Sequence, residues 1–109
     1  MIRVTLRRTG SGLYPGYEII GHAGWAEKGH DIVCAAASFL GITCANALER
    51  AAGVKTENKT GDGYLSVRFP AESGEKAQTV MQVLRQGFLD LADTYPDYVK
   101  LNETTIMEE

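Results

Sequence analysis

Between Asp31 and Gly53 the chain carries the stretch that leaves least choice of secondary structure. Asp31 is a favoured N-cap residue, an alanine-rich run of helical composition follows it, and Gly53 is a natural stop signal, which together predict a helix reaching about Ala52. Val33, Ala36, Ala37, Leu40, Cys44, Ala47, Leu48 and Ala51 recur at helical spacing and form one apolar stripe, whose small alanines allow close approach to a sheet. With Asp31 as the cap, Cys34 is the third helical residue. The first turn gathers unpaired N–H groups and the positive end of the helix dipole, so a thiol placed there tends towards thiolate, the nucleophilic form.

The sheet for that helix is written on either side of it. Residues 2–6 alternate, with Ile2, Val4 and Leu6 on one face and Arg3, Thr5 and Arg7 on the other, the pattern of a strand buried on one side. Gly10, Gly12 and Gly16 superficially suggest a phosphate-cradling loop, but a strand rather than a helix follows, so residues 9–16 read as a hairpin loop. Residues 17–22 form the second strand, with His22 at its end. Residues 54–59 read as a third strand with Val54 and Thr56 inward, Gly61-Asp62-Gly63 as a turn, and residues 64–69 as a fourth strand with Leu65, Val67 and Phe69 inward.

Ser73 or a neighbour then caps a second helix running to about Tyr95, with Ala77, Val80, Met81, Leu84, Phe88, Leu91 and Tyr95 as its core face. Pro96 stops it, residues 99–102 add a short edge strand, and the acidic end at residues 107–109 is expected to fray. The order strand, strand, helix, strand, strand, helix, strand predicts a two-layer α+β sandwich. Two long helices pack on one face of a largely antiparallel sheet of four to five strands.

Composition narrows what such a domain does. The 109 residues make one domain with a core of its own, and 44% hydrophobic and 23% charged residues are ordinary for a soluble globular protein. No apolar run is long enough to predict a membrane span, and the alternation at the N-terminus is unlike a signal peptide, so the cytoplasm is the expected compartment. Both cysteines are expected as reduced thiols, because Cys34 and Cys44 lie about 15 Å apart along one helix, too far for a disulfide or a shared zinc. No metal or cofactor is called for. A net charge of −3 argues against direct nucleic-acid binding.

The chemistry-bearing residues gather between Gly21 and Ser38. The end of one strand and the start of the next helix are commonly adjacent, so His22 and Cys34 can form a pair. The histidine would take the thiol proton and later protonate a leaving amine, while free N–H groups at the helix start hold the oxyanion. His30 is a rival base by proximity, Asp31 can orient the histidine as well as cap the helix, and Ser38 can bond back to the Cys34 carbonyl or support the thiol. Cys44, inside the stripe, reads as a small core residue. Residues 23–30 are either a surface connection or a lid, in which Gly24 and Gly29 flank Trp25, the one large apolar side chain placed to cover a substrate.

The run Gly21-His22-Ala23, then Gly29, then Asp31-Ile32-Val33-Cys34-Ala35 with Ser38 following, resembles the motif of the ribosomal-processing cysteine proteases called Prp, and the order of elements is similar along essentially the whole chain. The resemblance implies a cysteine endopeptidase with His22 and Cys34 as the catalytic pair, and it selects His22 over His30. It further implies a homodimer that removes the short N-terminal extension of bacterial ribosomal protein L27, cutting after an apolar, aromatic-rich segment. From other classes, a non-enzymatic ribosome-associated or assembly factor and a thiol-dependent acyl transferase fit the same residues, and thiol reactivity and peptide cleavage tell the three apart.

Overall fold

A computed structural model describes residues 1–106, so the expected fraying of residues 107–109 lies outside the described residues. Seven elements follow in the order β1 (Ile2–Arg8), β2 (Gly16–Ile20), α1 (Ile32–Arg50), β3 (Glu57–Gly61), β4 (Tyr64–Arg68), α2 (Glu75–Thr94) and β5 (Val99–Thr105). The strands form one sheet in the order β3-β4-β2-β1-β5, antiparallel except where β5 runs parallel to β1. Both helices pack on one face of this sheet, the α+β arrangement that the alternating strands and two amphipathic helices demand.

Residue parity decides which face is covered. Ile2, Val4, Leu6, Tyr17, Val67 and Val99 are buried and point towards the helices, where they meet Val33, Ala37, Cys44 and Leu48 of α1 and Ala77, Met81, Leu84 and Phe88 of α2. Gly41 is also buried on α1, at a position the apolar stripe omits. A side chain there would reach within 2.5 Å of Ile19 and 3.2 Å of Leu65, so its absence sets how closely α1 sits on the sheet. The Tyr17 hydroxyl donates to the Gly41 carbonyl at 2.7 Å and pins the helix at that point. Ala36 and Ala51, placed on the stripe by spacing, are exposed instead, because the true contact face turns through Gly41 and Ala45.

Some boundaries differ from those read in the sequence. β2 spans Gly16–Ile20, because Gly21 at φ +101° leaves the strand, so His22 lies beyond its end. β3 begins at Glu57 rather than Val54, since the Val54 N–H turns back to the Leu48 carbonyl at 2.9 Å and buries its side chain under the end of α1. β5 extends to Thr105 and pairs along all of β1, a long-range parallel pairing that short-range pattern does not report. The N-cap of α2 is Gly74, the neighbour of Ser73, and the Ser73 hydroxyl bonds to the Pro70 carbonyl in the preceding turn.

α1 also corrects the reading of apolar length, for Ile32–Arg50 is long and apolar enough to cross a membrane by length and composition alone. The polar interruptions at Ser38, Thr43 and Asn46 are uncharged, and the first charge is Glu49. In the fold one face of α1 is core, and its outer face keeps Ile32, Phe39 and Ile42 exposed, so the helix is apolar nearly all round.

Candidate active site

The N-terminus of α1 lies beside the end of β2 because a single carboxylate holds the intervening loop. Asp31 is the N-cap, in extended backbone conformation at φ −88° and ψ 100°. Its Oδ1 accepts the N–H groups of Val33 at 3.0 Å and Cys34 at 2.9 Å, as a capping side chain should. Its Oδ2 accepts the N–H groups of Trp25 at 3.0 Å and Ala26 at 3.3 Å, on the far side of the loop. Asp31 therefore ties residues 23–30 to the helix start, and no histidine lies among its hydrogen-bond partners.

This latch has an electrostatic signature. Burial pushes the Asp31 carboxyl up, but the N–H groups of Cys34, Ala26, Trp25 and Val33 outweigh that effect and leave it below the ordinary carboxylate value. The stability it supplies is complete above about pH 4 and is lost as acid takes the pH down through the lowered folded-state value. Replacing Asp31 with Ala is expected to lower the melting temperature by about 5 °C near neutral pH, the usual scale for a lost cap in a domain of this size. Below about pH 4 the difference from the unsubstituted protein should shrink, which melting curves at a series of pH values will check.

Cys34 is the third residue of α1 and half-buried, a free thiol whose Sγ accepts the N–H of Ala23 at 3.2 Å. That hydrogen bond closes the loop and brings the residue following His22 onto the sulfur. The cap changes the arithmetic of the helix start, however. Of the N–H groups at the helix start, those of Val33 and Cys34 are bound by Asp31 and not free for an oxyanion, and the donor found at the sulfur is the N–H of Ala23.

His22 lies one residue past Gly21, exposed, with its imidazole against the β3–β4 turn: Nε2 stands 3.6 Å from Asp62 Oδ1. Among the described residues no hydrogen bond joins His22 to Cys34, although the backbone hydrogen bond at Ala23 places the two residues at one edge of the molecule. His30 is exposed in the loop, its N–H on the Glu27 carbonyl at 2.9 Å. Ser38 is exposed one turn beyond Cys34, and the bond to the Cys34 carbonyl considered for it is absent among the described residues. Cys44 is buried, and burial pushes its thiol up, away from the reactive form.

The loop is held at a second point. Beyond the Asp31 latch, the Trp25 ring stands edge-on to Tyr95, with centroids 6.4 Å apart at the C-terminal end of α2. The aromatic pair leaves Trp25 partly exposed, and Ile32, the first residue of α1, is exposed two residues before Cys34. Tyr95, Asp62 and the Ala23 N–H were not singled out by sequence reasoning as parts of this region. Tyr95 and Asp62 come from segments whose position depends on the sheet order, of which only the Asp-Gly turn left a local trace, while Ala23 directly follows His22 in the Gly21-His22-Ala23 run.

Comparison with known proteins agrees with this architecture. The family model described as cysteine protease Prp matches residues 1–100. The ribosomal processing cysteine protease Prp of Bacillus subtilis is 30% identical over 112 residues, an alignment covering 97% of this chain and 100% of that protein. A crystal structure of the essential ribosomal processing protease Prp from Staphylococcus aureus, in complex with a covalently linked product peptide, superposes with a TM-score of 0.90 at 26% identity, covering 95% of this chain and 100% of that one. A Streptococcus mutans protein of known structure is 34% identical with a TM-score of 0.78, over 97% of this chain and 96% of its own. With the family model spanning nearly its whole length and the sheet order and helix placement in accord, the chain belongs to the Prp family of cysteine proteases.

Proposed function

We propose that this protein is a cytoplasmic endopeptidase that removes the N-terminal extension of ribosomal protein L27, using Cys34 as nucleophile and His22 as base. The observation that carries the reading is the placement of the Cys34 sulfur in the first turn of α1 with the Ala23 N–H aimed at it at 3.2 Å. A thiol at a helix start with an N–H donor on its sulfur is placed as a nucleophile would be, and the residue before Ala23 is the histidine proposed to take its proton. The thiolate adds to the scissile carbonyl, His22 protonates the departing amine, and water then releases the acyl group from Cys34. The Ala23 N–H, freed from the sulfur as that atom bonds to carbon, is positioned to turn to the oxyanion.

The substrate class follows from the surroundings and from the relatives. Trp25, in the loop that Asp31 ties to the helix start, and Tyr95 against it offer partly exposed aromatic surface, which suits an extension that is apolar and aromatic-rich before the cut. The solved S. aureus relative holds a product peptide covalently, and the named relatives are ribosomal processing proteases, which supports a ribosomal protein as the peptide source. Gly24 and Gly29 bound the segment of loop that would shift to admit it.

Incubation with L27 bearing its extension, followed by mass measurement, should yield two fragments cut at one bond. An intact substrate in the presence of a rapidly alkylated Cys34 would sink the proposed substrate. Unreactive Cys34 would instead return the protein to the assembly-factor reading.

The outer face of α1 supports a homodimer. Ile32, Phe39 and Ile42 are 55%, 71% and 54% exposed along one side of that helix, a row of large apolar side chains that a second copy would cover. Sedimentation at micromolar concentration should give twice the 11.9 kDa chain mass, and Phe39→Glu should shift it to the monomer.

A further inference from the structure

The proposed pair leaves one polar group of the site unexplained: the Asp62 carboxylate, at the tip of the β3–β4 hairpin and far from His22 in sequence. Its place there is not accidental to the fold. β2 pairs with β4 so that Ile20 faces Tyr64, and the pairing continues past the strand ends, where the Gly21 N–H donates to the Gly63 carbonyl at 2.8 Å. That bond clamps the hairpin turn to the segment carrying His22.

Gly63 then provides the floor for the imidazole. It has φ +61°, a conformation that glycine adopts without cost, and a Cβ on it would lie 2.7 Å from His22 Nε2 and 3.2 Å from two of its ring carbons. Only a residue without a side chain lets the ring lie this close. With the ring seated on Gly63, Nε2 faces Asp62 Oδ1 at 3.6 Å, leaving Nδ1 as the ring nitrogen free of that contact.

We infer that Asp62 is a positioning residue for His22, so that the site is a Cys-His-Asp arrangement whose acid comes from the hairpin turn and not from Asp31. A carboxylate on Nε2 fixes the tautomer and the ring plane, leaves Nδ1 to take the thiol proton, and stabilises the imidazolium that results. The separation, 3.6 Å, is longer than a hydrogen bond, and a charge on the ring draws the carboxylate closer. Because the side chains of His22 and Asp62 are 62% and 90% exposed, water screens the interaction and its effect is modest compared with a buried triad.

This inference rests on the proposed roles of His22 and Cys34, and the experiment separates the two. Asp62→Asn keeps the turn chemistry, since Asn-Gly suits a hairpin as well as Asp-Gly, and removes only the charge. The expected result is a fall of about fivefold in kcat with KM unchanged, the scale of an exposed ion pair, with most of it restored in Asp62→Glu. Alkylation of Cys34 by iodoacetamide should slow by a similar factor in Asp62→Asn, yet Asp62→Asn should add nothing when His22 is already Ala. Full activity in Asp62→Asn, or an equal slowing with and without His22, would overturn the positioning role while leaving the catalytic pair intact. Normal cleavage and alkylation in His22→Ala alone would overturn the pair, and the positioning role with it.

Discussion

Substituting Cys34 with Ala should lower the cleavage rate by at least about a thousandfold while the melting temperature stays within a few degrees, as expected when the nucleophile of a covalent mechanism is lost. The side chain is small and half-buried at the start of α1, so its removal opens little volume, and its one hydrogen bond is accepted from Ala23. The Asp31 cap remains in place, because Oδ1 binds the backbone N–H groups of Val33 and Cys34, which alanine retains.

The natural control is the second thiol. Cys44→Ala removes a sulfur that is 4% exposed in the core, and should cost about 1 kcal/mol of stability with turnover near normal. Cleavage assays and thermal melts on the two variants give opposite patterns if Cys34 is the nucleophile. A Cys34→Ala protein that still cleaves would refute the mechanism, and a folded but inactive Cys44→Ala would show that the wrong sulfur was chosen.

How far the molecule could be read from its residues depends on the range over which each feature is decided. The α1 cap was legible because Asp31 and the residues it bonds are neighbours, and the β1 alternation because parity is a local property of a strand. Gly41 was not, since a residue without a side chain leaves no mark in an apolar pattern even where its absence sets the packing distance. The pairing of β5 with β1 joins the two ends of the described chain, and no window of sequence contains both. Asp62 shows the same limit at the site. As sequence it is half of an Asp-Gly turn, and only the placement of β4 beside β2 carries that turn to the imidazole of His22. Asp31 follows the same rule: its cap is a local duty that can be read from its neighbours, while the bonds of its second oxygen to the loop N–H groups of Trp25 and Ala26 are not.

His22→Ala should lower cleavage by about a hundred- to ten-thousandfold, the usual contribution of a positioned general base, and should also slow alkylation of Cys34 by iodoacetamide at neutral pH. The second effect is the more telling, because alkylation needs no substrate groove and responds to the thiolate that the histidine helps to form. His30→Ala should change either rate by about twofold or less. Its side chain is exposed in the loop, while His22 sits on a floor made by Gly63, two residues beyond β2, a strand paired on both sides. A base must be held at one place to accept a proton repeatedly, and of the two histidines only His22 has the neighbours to hold it: the Asp62 carboxylate at 3.6 Å and the clamp from Gly21 to Gly63 at 2.8 Å. If the ranking of the two variants is reversed in both assays, the proton goes to the loop histidine. The hairpin turn then has no part in the chemistry, and the clamp between β2 and β4 serves the fold alone.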